Sequence, residues 1–125
     1  MDLSSLVEKN RSYRRFFQNE TVDTDVLTEL VGLAGITPSA ANRQPLKYIL
    51  SNTPGMNGKI FSTLGWAAFL SDWPGPEEGE RPPAYIVILG DTGISRDWSA
   101  DPGLQCRPCS SGLWKRGSAA VFSDR

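Results

Sequence analysis

Apolar residues recur along this chain with different periods, and those periods predict its elements. From Asp2 to Lys9, Leu3, Leu6 and Val7 fall at helical spacing and predict a short amphipathic helix ending near Asn10. A longer helix is expected over residues 24–35, capped by Asp23 or Thr24. There Val26, Leu27, Leu30, Val31, Leu33 and Ala34 return every third or fourth position and define one apolar face. Leu46 to Ser51 reads as a short strand. After turn chemistry at Asn52 to Gly55, the stretch from Met56 to Leu64 places Ile60, Phe61 and Leu64 on one side of a third helix. Ala84 to Leu89 is an unbroken apolar run rich in β-branched residues, the pattern of a strand covered on both faces.

Polar and irregular segments separate these blocks. Arg11 to Phe16 is too charged for a core strand and too short for a helix, so it reads as an exposed connection. Pro38 and Ser39-Ala40-Ala41-Asn42 mark a turn or helix start, and Pro45 limits how far regular structure extends beyond it. The apolar stretch from Trp66 to Leu70 runs into a proline-rich loop from Trp73 to Pro83. No internal repeat is present. From Gly103 onward neither helical nor strand periodicity is seen.

Composition narrows the chemistry. With 125 residues the chain has room for one domain or part of one. Thirteen basic residues against fourteen acidic ones give a net charge of -1, so no global field draws it to nucleic acid or to an anionic membrane. Any bound anion must be captured locally. No apolar run reaches membrane-spanning length and Met1-Asp2-Leu3 lacks the blocks of a signal peptide, so a cytoplasmic protein is the expectation. The absence of histidine excludes histidine triads, bases and metal ligands. Cys106 and Cys109 form a C-x-x-C with no second pair to complete a metal site, and no resident metal is expected.

Two segments carry chemistry. Arg11, Arg14 and Arg15, with Ser12 between them, offer guanidinium forks and a hydroxyl suited to a phosphate; a solvated basic patch is the alternative. Ser39, Ala40, Asn42 and Gln44 combine small residues that admit a flat ring with amides that match the polar edge of a heterocycle; an ordinary capping turn is the alternative. Trp66, Phe69 and Trp73 are candidates to wall a pocket for a planar substrate, or are core residues.

In this order, with an amphipathic helix between them, R-S-Y-R-R-F and P-S-A-A-N-R-Q-P-L resemble the opening of the nitroreductase family of FMN enzymes. The resemblance covers roughly residues 1–103 and is most specific in the first fifty. It implies an α+β fold, the N-terminal part of a three-layer α-β-α sandwich with an incomplete sheet. It further implies FMN as cofactor, NADH or NADPH as electron donor, nitro compounds, quinones or similar electrophiles as acceptors, and a homodimer. By the same resemblance Arg11, Ser12 and Arg14, helped by Arg15, hold the flavin phosphate and ribityl chain. Ser39, Ala40, Asn42 and Gln44 line the ring, usually from the other subunit. Leu46 departs from the tryptophan common there in the family.

Residues 104–125 do not continue the pattern, since Pro108 stands where the resemblance implies a long apolar dimer-core helix. A change of reading frame near Gly103 is the expectation. One DNA that encodes Gly112 to Asp124 reads A-V-E-K-G-L-G-G-C-F-L-G in the neighbouring frame, a helix end followed by a glycine turn. On that account the chain carries the first part of a flavin site, and two other readings stand beside the enzyme. One is an inactive fragment or flavin-binding remnant without turnover. The other is a small module whose arginines bind an acidic partner.

Overall fold

The computed structural model describes residues 2–9, 11–67, 69–97 and 101–102. Along these the order is α1 (Leu3–Lys9), α2 (Thr24–Gly35), a 3₁₀ turn (Ala40–Asn42), β1 (Leu46–Ser51), α3 (Pro54–Phe61) and β2 (Tyr85–Gly90). The cysteine pair and the proposed frame change near Gly103 lie outside the described residues, as does the whole tail to Arg125.

Asp2 starts α1: its carboxylate accepts the Ser5 N–H at 2.7 Å, satisfying a donor that the first helical turn leaves open. That bond holds the Asp2 carboxyl below its usual range. At the other end Arg11 Nε donates to the Glu8 carbonyl and the Tyr13 hydroxyl to the Lys9 carbonyl, each at 3.0 Å. The segment after α1 therefore closes the helix's last carbonyls. No residue of α1 is buried, and Leu3 and Val7 are 77% and 65% exposed.

Helix α2 supplies the core. Its expected apolar face is the buried one: Leu27, Leu30 and Ala34 are almost fully covered, with Val26, Leu33, Tyr48 and Ile86 packed around Leu30 and Ala34. Asp23 occupies the N-cap position in extended backbone, but its side chain makes no capping bond. Asn52 Nδ2 instead bonds the Val22 carbonyl at 2.9 Å and Thr24 Oγ1 at 3.1 Å, joining the start of α2 to the end of β1.

Strands β1 and β2 pair antiparallel, with Leu46 opposite Gly90 and Ser51 opposite Tyr85. Alternation puts Leu46, Tyr48, Leu50, Ile86 and Ile88 on one face and Lys47, Ile49, Tyr85, Val87 and Leu89 on the other. Tyr48 and Ile86 pack against α2, so the first face is the core side. On the second face Ile49 is 48% exposed and Leu89 45%. The expectation that the second strand is covered on both faces is met in part: α2 covers the first face, and on the second Ser51 is buried beside Asn57 of the next helix while Ile49 and Leu89 stay open. An apolar run records a preference for burial, and burial needs a partner.

Helix α3 begins at Pro54, two residues before the expected Met56, and ends at Phe61 short of Leu64. Proline suits the first helical position because its missing N–H would have no helical acceptor there. Asn57 links this helix to β1 and to the segment leading into β2, accepting the Ser51 hydroxyl at 2.6 Å and donating to the Pro83 carbonyl at 2.7 Å. Beyond the sheet, Lys47 Nζ meets Asp91 Oδ2 at 2.7 Å, and this contact is the main reason the Asp91 carboxyl is held low. Burial pushes the Tyr85 hydroxyl up to about 12, opposed by the nearby Arg81 charge. The result is an α+β arrangement in which helix packs on a small antiparallel sheet. No described helix is long and apolar enough to cross a membrane.

Candidate functional site

The arginine-rich segment leaves α1 and is fastened at its far end to the proline-rich loop. The Phe16 N–H donates to the Glu80 carbonyl at 2.9 Å and the Gln18 N–H to the Gly79 carbonyl at 3.3 Å. The Gln18 side chain accepts from the N–H groups of Gly79 and Arg81 and donates to Glu78 at 2.6 Å. Between these two anchors the arginines separate by environment. Arg15 pairs with Glu80 at 3.5 Å. Arg11 spends its Nε on the end of α1, and its terminal guanidinium nitrogens have no partner among the described residues. Arg14, exposed, has neither an acid partner nor a hydrogen bond among those residues. An exposed guanidinium two residues from an exposed serine hydroxyl presents donors of the kind that bind anions.

Ser12, Tyr13, Arg14 and Arg15 line an open cleft of about 450 Å³ together with Leu70 and Trp73. Of the three aromatic candidates only Trp73 borders it. Trp66 stands behind Trp73, edge to face with ring centroids 6.3 Å apart, and packs against Phe61 at 5.7 Å. Phe69 is fully exposed and lies off the cleft. Leu70, which the sequence reading did not single out, takes its place; nothing in the residue pattern distinguishes the two, since both fall in one apolar stretch. The cleft thus combines two arginines with two apolar side chains, Leu70 and Trp73.

Gly75 supports this wall. Its φ is +108°, and a Cβ there would lie 2.7 Å from Trp66 Cδ1 and 2.9 Å from Cγ. Gly75→Ala should therefore displace Trp66 and lower stability by about 1–3 kcal/mol, from strain alone before the clash is counted. An unchanged urea midpoint would count against this packing.

The second segment is a strained turn. Ala41, Asn42 and Gln44 have φ values of 52°, 53° and 50°, each in the left-handed region, where a non-glycine residue costs roughly 1–2 kcal/mol. Such a run persists only if neighbours hold it. The Ser39 hydroxyl donates to Asp101 Oδ2 at 2.5 Å and the Ala40 N–H donates to Asp101 Oδ1 at 3.1 Å. Ser39 Oγ in turn accepts the Gln44 N–H at 3.1 Å. Gln44 Nε2 donates to Asn42 Oδ1 at 3.0 Å, and buried Pro45 accepts the Asp91 N–H at 2.8 Å. The side chains of Ala40, Asn42 and Gln44 stay exposed, while Asp101 is 1% exposed. Asp101 is the residue of this network that sequence reasoning missed, since it lies 62 positions from Ser39.

Within one chain the two segments are anchored to different parts: the arginines to residues 78–81, the turn to Asp91 and Asp101. No residue of 39–44 lines the arginine cleft.

No protein-family model matches the chain, and no curated protein matches it in sequence. Solved structures do match. One is a nitroreductase family protein from Clostridium novyi NT, with a TM-score of 0.71 and 21% identity over 99% of this chain and 72% of that one. Another is an FMN-dependent nitroreductase from Clostridium difficile R20291, with a TM-score of 0.71 and 19% identity over 92% and 62% of the two chains. An enone reductase of gut-bacterial fatty acid biohydrogenation reaches a TM-score of 0.77 at 18% identity over 98% and 75%. Across such structures the chain spans between 62% and 75% of their length. At these identities the likeness is one of fold, and over the part it spans this chain has the nitroreductase fold.

Proposed function

We propose that the chain is an FMN-dependent oxidoreductase of the nitroreductase family, taking electrons from NADH or NADPH and passing them to a nitro compound, quinone or similar electrophile. The observation that carries this reading is the cleft lined together by exposed Ser12, by Arg14, which has no acid partner among the described residues, and by Leu70 and Trp73. A flavin mononucleotide has the matching parts, a dianionic phosphate joined to an apolar, planar ring with a polar edge.

In this reading Arg11, Ser12 and Arg14 bind the phosphate by charge-assisted hydrogen bonds. Arg15 lines the same cleft and, with its Nε toward Glu80, helps them there. The exposed amides of Asn42 and Gln44 and the backbone at Ala40 meet the polar edge of the ring, and Trp73 shields it from water. When bound, FMN supplies the two-electron chemistry itself, which is why a chain without histidine can serve. Binding in one chain of Arg11 to Arg15 and ring contact from Ser39 to Gln44 of a second copy belong to the same proposal. The separate anchoring of the two segments supports it, as do the exposed apolar side chains Leu3, Val7, Phe17 and Ile36.

Titration of the purified protein with FMN tests the reading. Quenching of flavin fluorescence and a yellow protein after gel filtration are expected, followed by NADH or NADPH oxidation when a nitroaromatic or quinone is added. A colourless protein that takes up no FMN would overturn it.

A further inference from the structure

We propose that Asp101 is the positioning residue of the ring-lining turn: it fixes Ser39, so that the turn meets the flavin through Ala40, Asn42 and Gln44 and not through the Ser39 hydroxyl proton. This inference rests on the flavin reading above.

The hydrogen-bond inventory carries it. A serine hydroxyl has one proton, and that of Ser39 goes to Asp101 Oδ2 at 2.5 Å. One acceptor site of the same oxygen takes the Gln44 N–H at 3.1 Å. Ser39 is thereby committed as a relay between a buried carboxylate and the far end of its own turn. The other carboxylate oxygen holds the Ala40 N–H, so Asp101 grips two successive residues at once. A charged acceptor that is 1% exposed gives stronger hydrogen bonds than a solvated one, because water does not compete for the donors. The three left-handed residues Ala41, Asn42 and Gln44 lie immediately beyond that grip, and they are the part of the turn that would relax first without it.

Outer partners that orient a binding group are known to matter nearly as much as the group itself. Asp101 stands in that relation to the turn.

The test uses the full chain with Asp101→Asn, Ser39→Ala and the double variant. Asparagine keeps the shape but removes the charge, and its amide can satisfy Ser39 only by donating to Oγ, which releases the hydroxyl proton that Asp101 held. Without flavin, amide hydrogen exchange at Ala40 and Gln44 should speed up at least tenfold in Asp101→Asn while exchange in α2 is unchanged. With flavin, each single variant should lose roughly tenfold in FMN affinity, and the double should lose no more than the weaker-binding single, because both remove one connected device. The visible circular dichroism of bound flavin should change in Asp101→Asn and not in Arg14→Ala.

Unaltered exchange at both amides in Asp101→Asn would overturn the inference. So would additive affinity losses, which would mean that Ser39 touches the flavin directly. If Asp101→Asn fails to fold, Ser39→Ala decides: it keeps the bond from Ala40 to Asp101, and an unchanged flavin dichroism there would again overturn the relay. A wild-type chain that takes up no FMN would sink the flavin reading alone, and the exchange measurement would still decide the role of Asp101 in the turn.

Discussion

Replacing Arg11 and Arg14 together by alanine is expected to weaken FMN binding by about 10²–10⁴-fold, since each charge-assisted contact contributes about 1.5–3 kcal/mol. Fluorescence titration reads the loss directly. The structure makes the pair a sharper target than the arginine cluster as a whole. Arg14 has no acid partner among the described residues, so its removal strands no carboxylate, and the affinity change reports the ligand contact. Arg11 uses Nε to close α1 and leaves its outer nitrogens for an anion. Arg15→Ala should weaken binding less: Arg15 lines the same cleft, but its Nε is drawn to Glu80 in an exposed pair, a kind of contact worth about 0–1 kcal/mol. Riboflavin supplies a control because it lacks the phosphate, and its affinity should be the same in wild type and double variant. Unchanged FMN affinity in the double variant would remove the phosphate assignment.

Leu30→Ala should destabilise the fold by about 2–5 kcal/mol, the range for emptying a buried leucine site. Leu30 is 1% exposed and packs with Ala34, Tyr48 and Ile86, where α2 meets both strands. A small domain is stable by about 5–15 kcal/mol in all, so one substitution can remove a third or more of that. Urea unfolding followed by far-ultraviolet circular dichroism measures it. Val7→Ala on α1 is the matched control: Val7 is 65% exposed, and surface changes stay within about 0.5 kcal/mol. A shift under about 1 kcal/mol for Leu30→Ala would show that the core lies elsewhere.

The parts of the fold legible in sequence are those set by local period. Helix α2 was visible because six apolar residues share a face, and that face is the one buried against Tyr48 and Ile86. Strand β2 was visible as an unbroken apolar run rich in β-branched residues, and β1 as a short segment between turns. Their pairing was not, because register depends on which residues meet across a long connection. Helix α3 moved to Pro54 because a proline read as a turn residue also suits a helix start. At the site, residue type showed that an anion is welcome near Arg11 to Arg15, but not that Glu80 engages Arg15 and leaves Arg14 open, since Glu80 comes from a distant loop. The hold of Asp101 on Ser39 was hidden for that reason too. Left-handed backbone at Ala41, Asn42 and Gln44 carried no glycine to announce it. Gly75 read as loop chemistry, whereas its place under the Trp66 ring is a matter of packing.

The register of β1 against β2 also sets the order in which the chain organises itself. Ser51 faces Tyr85 only after the whole connection from Asn52 to Ala84 has folded back, so the sheet cannot zip up as a local hairpin. Closing so long a loop costs entropy before any strand contact repays it. Helices α2 and α3 make their backbone bonds within a few residues and form in microseconds or less. The turns of α3 shorten the effective connection, and Asn57 on α3 donates to the Pro83 carbonyl, close to where β2 begins. The pairing of Tyr85 to Gly90 with Leu46 to Ser51 is thus a nonlocal contact, the kind that slows folding, whereas both helices are local.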